Sequence, residues 1–156
     1  MSHVILVSAQ VLLVLSLGLL TLEFGLGIDN FDILFFIGET IIETRTGSDP
    51  NDGSSGQFSL QFFSPDGTSC TIKMIDNPNK DDFEPGNVDE FKGSVIAPCE
   101  KYQPDEISSV KITHISGDGW RGVYLKISYG VKSFTCNLGQ RIDGNASIEF
   151  PCSGKK

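Results

Sequence analysis

Acidic side chains gather in the segments that separate the apolar runs of this 156-residue chain, and their oxygens could coordinate a cation. The strongest candidates for metal ligands are Asp49, Asp52, Asp81 and Asp118. The same segments also contain Asp76, Asn79, Asp82, Glu84 and Asp143. Calcium takes about six to eight oxygen ligands from carboxylates and carbonyls, which such segments could supply. Alternatively, these residues only make the hydrogen bonds of turns.

A nucleophilic catalytic site would have to use His114, because the other histidine, His3, lies near the N-terminus. His114 shares the inward parity of Val110 and Ile112 in an alternating segment, which is typical of a buried histidine with local hydrogen bonds. The motifs GxSxG, HExxH, GxxxxGK[ST] and CxxC do not occur in the sequence. We therefore expect no catalytic activity.

The N-terminal part of the chain is typical of an export signal. Residues 4–22 are almost entirely apolar, and Gly25 and Gly27 supply the small residues that precede a cleavage site. We therefore predict a signal peptide over residues 1–27, cleaved after Gly27. The alternative is an uncleaved anchor, because an apolar segment of this length nearly spans a bilayer. Residues 28–38 form a further apolar lead-in to which we assign no element.

The chain has four cysteines, all beyond the predicted signal: Cys70, Cys99, Cys136 and Cys152. An even number of cysteines in an exported domain indicates two disulfides, for which three pairings exist. The single N-glycosylation sequon begins at Asn145, directly after a glycine that favours an exposed turn. Export, paired cysteines and a sequon together predict a secreted, extracellular glycoprotein.

Acidic residues outnumber basic ones. The sequence carries 12 Lys and Arg against 20 Asp and Glu, which gives a formal net charge of −8. Because an acidic surface repels phosphate backbones and anionic lipid headgroups, nonspecific nucleic-acid binding is excluded as a function class. The same negative field favours a divalent cation.

Beyond residue 39 the apolar residues recur with a period of two, which predicts strands rather than helices. Phe58, Leu60 and Phe62, for example, alternate with Ser59 and Gln61. Eight strands are predicted, at residues 40–47, 56–64, 69–76, 89–97, 108–116, 121–129, 131–138 and 145–151. This pattern predicts an all-β fold, an eight-stranded antiparallel β-sandwich over residues 39–153 with a tail at 154–156.

Several segments, in their order along the chain, resemble PLAT domains, the module of polycystins, lipoxygenases and α-toxins that is also called LH2. They are residues 44–47 (TRTG), 83–91 (FEPGNVDEF), 117–120 (GDGW), 134–136 (FTC) and 150–152 (FPC). The two cysteine segments are similar to the C-terminal domain of secreted pancreatic-type lipases. The chain departs from the PLAT pattern at Arg121 and Gly122, where Leu-Asp is usual, and at Leu138, where an aromatic residue is common.

The resemblance implies a sandwich of jelly-roll type, with predicted strands 1, 8, 3 and 6 in one sheet and 2, 7, 4 and 5 in the other. It also implies that the connections after the odd-numbered strands meet at one end of the sandwich, where they would bring the candidate calcium ligands together. In that geometry the implied disulfides are Cys70–Cys99 and Cys136–Cys152.

The function that the resemblance implies is a non-enzymatic binding module that docks on a lipid surface or on a membrane-associated protein, aided by calcium if the acidic segments bind it. Trp120 and Phe63 are the candidate interface residues, because aromatic rings suit a lipid interface; alternatively, Trp120 caps the sandwich. Two other functions stay open. One is a soluble extracellular protein- or glycan-binding or defence factor, and the other is the accessory domain of a lipase.

Overall fold

The computed structural model describes residues 13–15, 18–20, 38–97 and 99–155. Most of the predicted signal peptide and of the lead-in therefore lies outside the described residues. The chain forms two compact units, Met1–Phe35 and Phe36–Lys156. In the first unit, β1 (Leu13–Leu15) and β2 (Gly18–Leu20) pair in antiparallel fashion. Among the described residues, no helix has the length and apolar character to cross a membrane.

The second unit is an antiparallel β structure, which confirms the predicted all-β fold class. Its strands are β3 (Ile41–Thr46), β4 (Gln57–Phe63), β5 (Ser69–Ile72), β6 (Val88–Lys92), β7 (Ser109–Ser116), β8 (Trp120–Tyr129), β9 (Lys132–Asn137), β10 (Arg141–Ile142) and β11 (Ser147–Lys155). Two short 3₁₀ helices, Gly93–Ile96 and Cys99–Lys101, follow β6. The alternation that predicts the strands also decides their inner face, since Phe58, Leu60 and Phe62 are all buried.

The strands form one curled sheet with two facing layers. Their order is β5-β4-β7-β11-β9-β8-β3-β6, and β10 pairs with β8 beside this path. The two layers share β11, which pairs with β7 up to Pro151 and with β9 from Cys152 onward. The core between the layers is therefore closed at one side by β11 and open between the edge strands β5 and β6.

The sheet order implied by the resemblance is wrong. In the numbering of the predicted strands, the observed layers are 3-2-5-8 and 8-7-6-1-4. Two tight turns explain the difference. Residues 64–68 join β4 to β5, with the Ser64 amide donating to the Thr68 carbonyl at 3.0 Å, and residues 130–131 join β8 to β9. Connections this short hold consecutive strands side by side as hairpins, so neither pair can be divided between the layers.

The strand boundaries differ from the predicted ones by four or five residues at three places. The predicted strand 69–76 ends at Ile72. The predicted strand 89–97 ends at Lys92, because Gly93 adopts a positive φ of 56° and begins a 3₁₀ helix. The last strand runs to Lys155 instead of ending at residue 151, so that Gly154 of the predicted tail pairs with Phe134 of β9. The short strand β10 was not predicted, since two residues carry no alternation.

Two disulfides join parts of the sheet, with the pairing that the resemblance implies. Cys70–Cys99 connects β5 to the 3₁₀ helix that follows β6, at a Cα–Cα distance of 5.6 Å, and so links the two edges of the open side. Cys136–Cys152 connects directly opposed residues of β9 and β11, with Cα atoms 4.0 Å apart. Two disulfides indicate an oxidising, extracellular environment.

Candidate functional site

Four connections meet at one end of the sandwich, which we name the loop end: residues 47–56, 73–87, 117–119 and 138–146. Hydrogen bonds of residues 47–56 join this segment to the other three connections and to β8. The Ser54 amide donates to the Phe83 carbonyl at 3.2 Å, and the Arg121 amide at the start of β8 donates to the Asp52 carbonyl at 2.9 Å. The loop end is therefore one connected surface, as the resemblance implies.

Trp120 forms the floor of the loop end. Its indole is buried, its Nε1 donates to Thr46 Oγ1 at 3.0 Å, and its ring contacts those of Phe58 and Phe83 at centroid distances of 5.1 and 5.5 Å. A ring in this position cannot enter an interface without opening the core. The expectation that Trp120 is an interface residue is thus wrong, and the alternative, a tryptophan that caps the sandwich, describes its place.

Phe63, the other candidate interface residue, lies far from the loop end. It is the last residue of β4, and its half-buried side chain is on the outer face, opposite Ser69 of β5 and Ser109 of β7. Phe62 beside it is completely buried, so one of the two rings faces the core and the other faces outward. Phe63 therefore does not belong to the loop end.

Phe83 is held in a strained conformation above the aromatic floor. Its φ is +65°, a left-handed value that is rare for a bulky residue. Two contacts fix it there: its amide donates to Asp89 Oδ2 at 2.8 Å, and its carbonyl accepts from Ser54. Burial of the ring against Phe58, at a centroid distance of 4.4 Å, offsets a cost of about 1–3 kcal/mol.

Ser54 connects a buried histidine to the surface of the loop end. Its Oγ lies 3.1 Å from His114 Nε2, and it donates toward the main-chain oxygen of Asp118 at 2.8 Å and Oδ1 of the same residue at 3.1 Å. The imidazole is fully buried and stacks on Phe58 at 4.6 Å. The hydrogen bond from Ser54 is the largest cause that lowers the pKa of Asp118 below its usual value. The positive charge of Arg141 lowers this pKa further.

The glycines of the β7–β8 turn serve close packing. Residues 117–122 have the spacing GxGxxG, but they form a hairpin turn instead of the strand-to-helix turn that binds dinucleotides. A Cβ atom at Gly119 would lie 2.4 Å from Arg141 Nε, and one at Gly122 would lie 2.5 Å from the Trp120 ring. The spacing therefore indicates no nucleotide site.

The candidate calcium ligands do not assemble into a metal site. Among the described residues, no group of three or more His, Cys, Asp or Glu side chains could hold a metal ion. Asp49 and Asp81 are exposed, whereas Asp52 is buried and accepts from the Asp49 amide at 3.2 Å. Asp118 is exposed and engaged with Ser54. The donor set therefore does not fit the oxygen-rich coordination of calcium.

Basic side chains form ion pairs with carboxylates at the loop end, which the sequence did not predict. Lys80 Nζ lies 2.7 Å from Asp89 Oδ1 and 3.5 Å from Asp82 Oδ1. The hydrogen bond to Asp89 is the main reason that the pKa of Lys80 is raised. Asp89 could have been recognised as inward-facing because it shares the parity of the buried Phe91, but nothing in the sequence pairs it with Lys80.

A cleft of about 220 Å³ opens beside the Lys80 segment. Its lining includes Gln57, Met74, Asp76, Asp81 and Phe83. Met74 is among the exposed large hydrophobic residues, Phe83 is buried, and the other three named side chains are polar. The cleft is shallow and mixed in charge, and it has no set of convergent groups for chemistry.

An apolar patch lies on the outer face of the β6-β3-β8 layer, next to the loop end. Val88, Arg45 and Tyr124 form one row across the three strands. A β-bulge opposite the Arg45–Thr46 step leaves Val123 unpaired with β3, and both Val123 and Tyr124 face outward. Val88 and Val123 are each 45% exposed. We name these four residues the valine–arginine patch.

Comparison with solved structures shows the fold of this chain. An alpha toxin from Clostridium absonum matches 77% of this chain and 33% of its own at 20% identity, with a TM-score of 0.57. A coral 8R-lipoxygenase, described as activated by calcium through a C2-like domain, matches 74% of this chain and 17% of its own at 12% identity and a TM-score of 0.60. The alpha-toxin of Clostridium perfringens matches 72% of this chain and 31% of its own, with a TM-score of 0.51.

These likenesses are consistent with a PLAT-type, C2-like β fold. No protein-family model matches the chain, and no curated protein sequence matches it. The chain spans about a third of the toxins and about a sixth of the lipoxygenase. At identities this low the likeness shows the fold alone. It does not extend to the activities of the whole toxin and lipoxygenase chains.

Proposed function

We propose that this chain is an exported, non-enzymatic binding module that docks on a phospholipid surface through the valine–arginine patch. The observation that carries the proposal is the β-bulge in β8, which turns Val123 outward beside Tyr124, in the same face as Val88 and Arg45. Bulges often re-aim a side chain at a functional place. An exposed apolar group next to a guanidinium matches the boundary between acyl chains and phosphates.

Each residue of the patch has a separate role in this proposal. Arg45 is exposed and presents a guanidinium that can bind a lipid phosphate in bidentate geometry. Val88 and Val123 leave water when they enter the acyl boundary, which stabilises binding by about 1 kcal/mol for each half-exposed side chain. Tyr124 Oη donates to Glu43 Oε1 at 2.6 Å, so its ring is held at the level of the headgroups.

The charge of the chain predicts which lipid it prefers. The formal net charge is −8, so an anionic vesicle repels the protein at long range although Arg45 attracts a phosphate at short range. A zwitterionic surface offers the phosphate without the repulsion. We therefore expect binding to phosphatidylcholine that becomes weaker as anionic lipid is added at low ionic strength.

Export and the absence of catalysis belong to the same proposal. The two disulfides and the predicted signal peptide support an extracellular place of action. The buried position of His114 supports a binding role over a catalytic one. Calcium assistance, which the resemblance implies, is not carried into the proposal, because the candidate ligands are dispersed.

The test is co-sedimentation of the secreted chain with phosphatidylcholine vesicles. Replacing both valines (Val88→Ser with Val123→Ser) is expected to weaken binding about thirtyfold, because two apolar contacts of about 1 kcal/mol each are lost. The matched control is Val131→Ser, since Val131 is 93% exposed at the β8–β9 turn, at the other end of the sandwich. Absence of sedimentation would contradict the lipid proposal and favour a protein or glycan partner. Weaker binding of the Val131 variant alone would move the contact to that turn.

A further inference from the structure

In the part of the chain that the structure describes, the three carboxylates that are buried at the loop end all lie beside a basic side chain, and two of them share one lysine. Asp89 has no solvent exposure, and both it and the buried Asp82 lie beside Lys80 Nζ, at 2.7 and 3.5 Å. Asp52, the third buried carboxylate of the described residues, lies 3.7 Å from Arg121 Nε. A buried carboxylate without a partner would carry a desolvation cost of several kcal/mol.

The remaining oxygens of the two innermost carboxylates are already occupied by N–H donors. Asp82 Oδ2 accepts from the Asn77 amide at 2.6 Å, and its Oδ1 accepts from Asn77 Nδ2 at 3.1 Å. Asp89 Oδ2 accepts from the Phe83 amide at 2.8 Å. A metal ion that used these oxygens would displace the donors and leave buried N–H groups unpaired.

Two arginines at the loop end lie so close together that their like charges would repel without partners. Arg121 of β8 and Arg141 of β10 are directly opposite each other in the strand pairing. Like charges in this position repel. Each is held by a carboxylate of its own: Arg121 by Asp52, and Arg141 by Asp143 at 3.3 Å. Arg141 also donates to the Asn51 carbonyl.

We propose that Lys80, Arg121 and Arg141 are built-in cations that pair with carboxylates at the loop end in place of a bound metal ion, so that the module folds and docks without calcium. A cation that is tethered to the chain is present at any calcium concentration. The position of the loops relative to the valine–arginine patch then does not depend on the calcium concentration. The statement about docking rests on the proposed function, whereas the statement about folding does not.

The test is thermal unfolding of the full chain in chelator and in about 2 mM calcium, a concentration of extracellular order. The wild type is expected to have the same Tm in both, within about 1 °C, because no calcium site contributes to the folded state. A calcium-dependent rise of about 3 °C or more that disappears in Asp52→Asn would overturn the proposal.

A variant that lacks a tethered cation tests the replacement directly. Lys80→Gln is expected to lower Tm in chelator, because Asp89 Oδ1 then loses its cation partner. Calcium is expected to recover part of the loss by binding at that oxygen, because the Phe83 amide donates to Oδ2 of Asp89 and not to Oδ1. A lowered Tm with no recovery in calcium or magnesium would contradict the view that the lysine occupies a cation site. The matched control is Lys111→Gln, on the outer face of β7, which should change neither Tm nor the response to calcium.

Two further measurements keep the proposal falsifiable. If Lys80→Gln does not fold, Arg121→Gln is measured in the same way, because the arginine side chain is half exposed and its removal is better tolerated. Vesicle binding is measured separately, in calcium and in chelator, and equal binding is expected. Failure of vesicle binding would contradict the proposed function and leave the unfolding result intact, so the two failures are distinguishable.

Discussion

Ser54 Oγ lies 3.1 Å from His114 Nε2 and 3.1 Å from Asp118 Oδ1, between a buried imidazole and an exposed carboxylate. The order of these groups differs from that of a catalytic triad, in which the carboxylate orients the histidine. Here the carboxylate contacts the serine, and His114 Nδ1 is buried without a hydrogen-bond partner. The hydroxyl has one proton, which it donates to Asp118, so Nε2 of His114 must be the donor toward Ser54 Oγ. The serine therefore connects the core to the loop.

Removal of this hydroxyl tests its structural role. Ser54→Ala is expected to lower the free energy of unfolding by about 1–3 kcal/mol, because His114 and the Gly56 amide, which donates to Oγ at 3.0 Å, both lose a partner. Denaturant unfolding measures the loss. Ser55→Ala, a change at the exposed neighbouring residue, is the control and should alter stability by less than about 0.5 kcal/mol. Equal stability of the two variants would contradict the role assigned to Ser54.

The sequence predicts strands well in this protein because one face of each strand is buried. Alternation placed Phe58 and Phe62 inside. It also placed the ends of the eight main strands within two residues of the observed ones, except for the C-terminal ends of three strands. Alternation does not specify which strands are neighbours. The sheet order depended on two tight turns, at residues 64–68 and 130–131, and the jelly-roll order did not take their length into account.

The loop end was predictable as a place but not as a set of contacts. Turn residues and acidic side chains marked the connections, and strand direction brought them together. The partners of the carboxylates are far away in sequence: Asp52 meets Arg121 of β8, and Asp89 meets Lys80 across a loop. Side-chain pairs of this kind follow from the packing of the sheet and leave no local pattern. For Trp120 the sequence left a capping ring and an interface ring open, and its packing against Phe58 and Phe83 decides for the capping ring.

The disulfide between β5 and the segment after β6 is expected to stabilise the fold more than the other one. Cys70 and Cys99 are 29 residues apart, whereas Cys136 and Cys152 are 16 apart and already lie in paired strands. Loop entropy assigns about 3.5 kcal/mol to the first link and about 3 kcal/mol to the second. The first also connects the edge strand β5 to the 3₁₀ helix that follows the other edge strand, β6. We therefore expect that replacing Cys70 and Cys99 together with serine lowers Tm more than replacing Cys136 and Cys152.

Calorimetry of the two double variants measures this difference. A larger effect of the Cys136/Cys152 replacement would indicate that the corner in β11 depends on its disulfide more than the open side does. Single cysteine variants are not suitable as controls, because a free thiol in an exported protein can exchange with the remaining disulfide.

Tyr129 is expected to ionise last among the tyrosines. Desolvation by burial is the main cause that raises its pKa from 10.0 to about 12, and its Oη donates to the Pro104 carbonyl. A raised pKa means that the fold favours the neutral phenol. This contribution to stability is complete below pH 10 and is lost as the pH rises towards 12. Phenolate absorbance during alkaline titration measures the step.

The variant Tyr129→Phe should remove the late ionisation step and leave the others in place. Tyr124→Phe is the control, because the pKa of Tyr124 is raised first by its hydrogen bond to Glu43 and only second by burial. If the wild type shows one common step near pH 10 while still folded, the assignment to a buried phenol is wrong.

Asn145 is expected to carry an N-linked glycan in the secreted protein. It is exposed in the turn between β10 and β11, where the Ala146 amide donates to the Asp143 carbonyl at 3.1 Å. Its φ is +61°, a left-handed value that asparagine adopts more readily than most residues. Because glycine tolerates the same backbone, Asn145→Gly removes the acceptor without straining the turn. Treatment with an N-glycosidase should reduce the apparent mass of the wild type to that of Asn145→Gly. The control Asn137→Gln, outside any sequon, should keep the full shift, and a wild type that is unchanged by the enzyme would contradict the prediction.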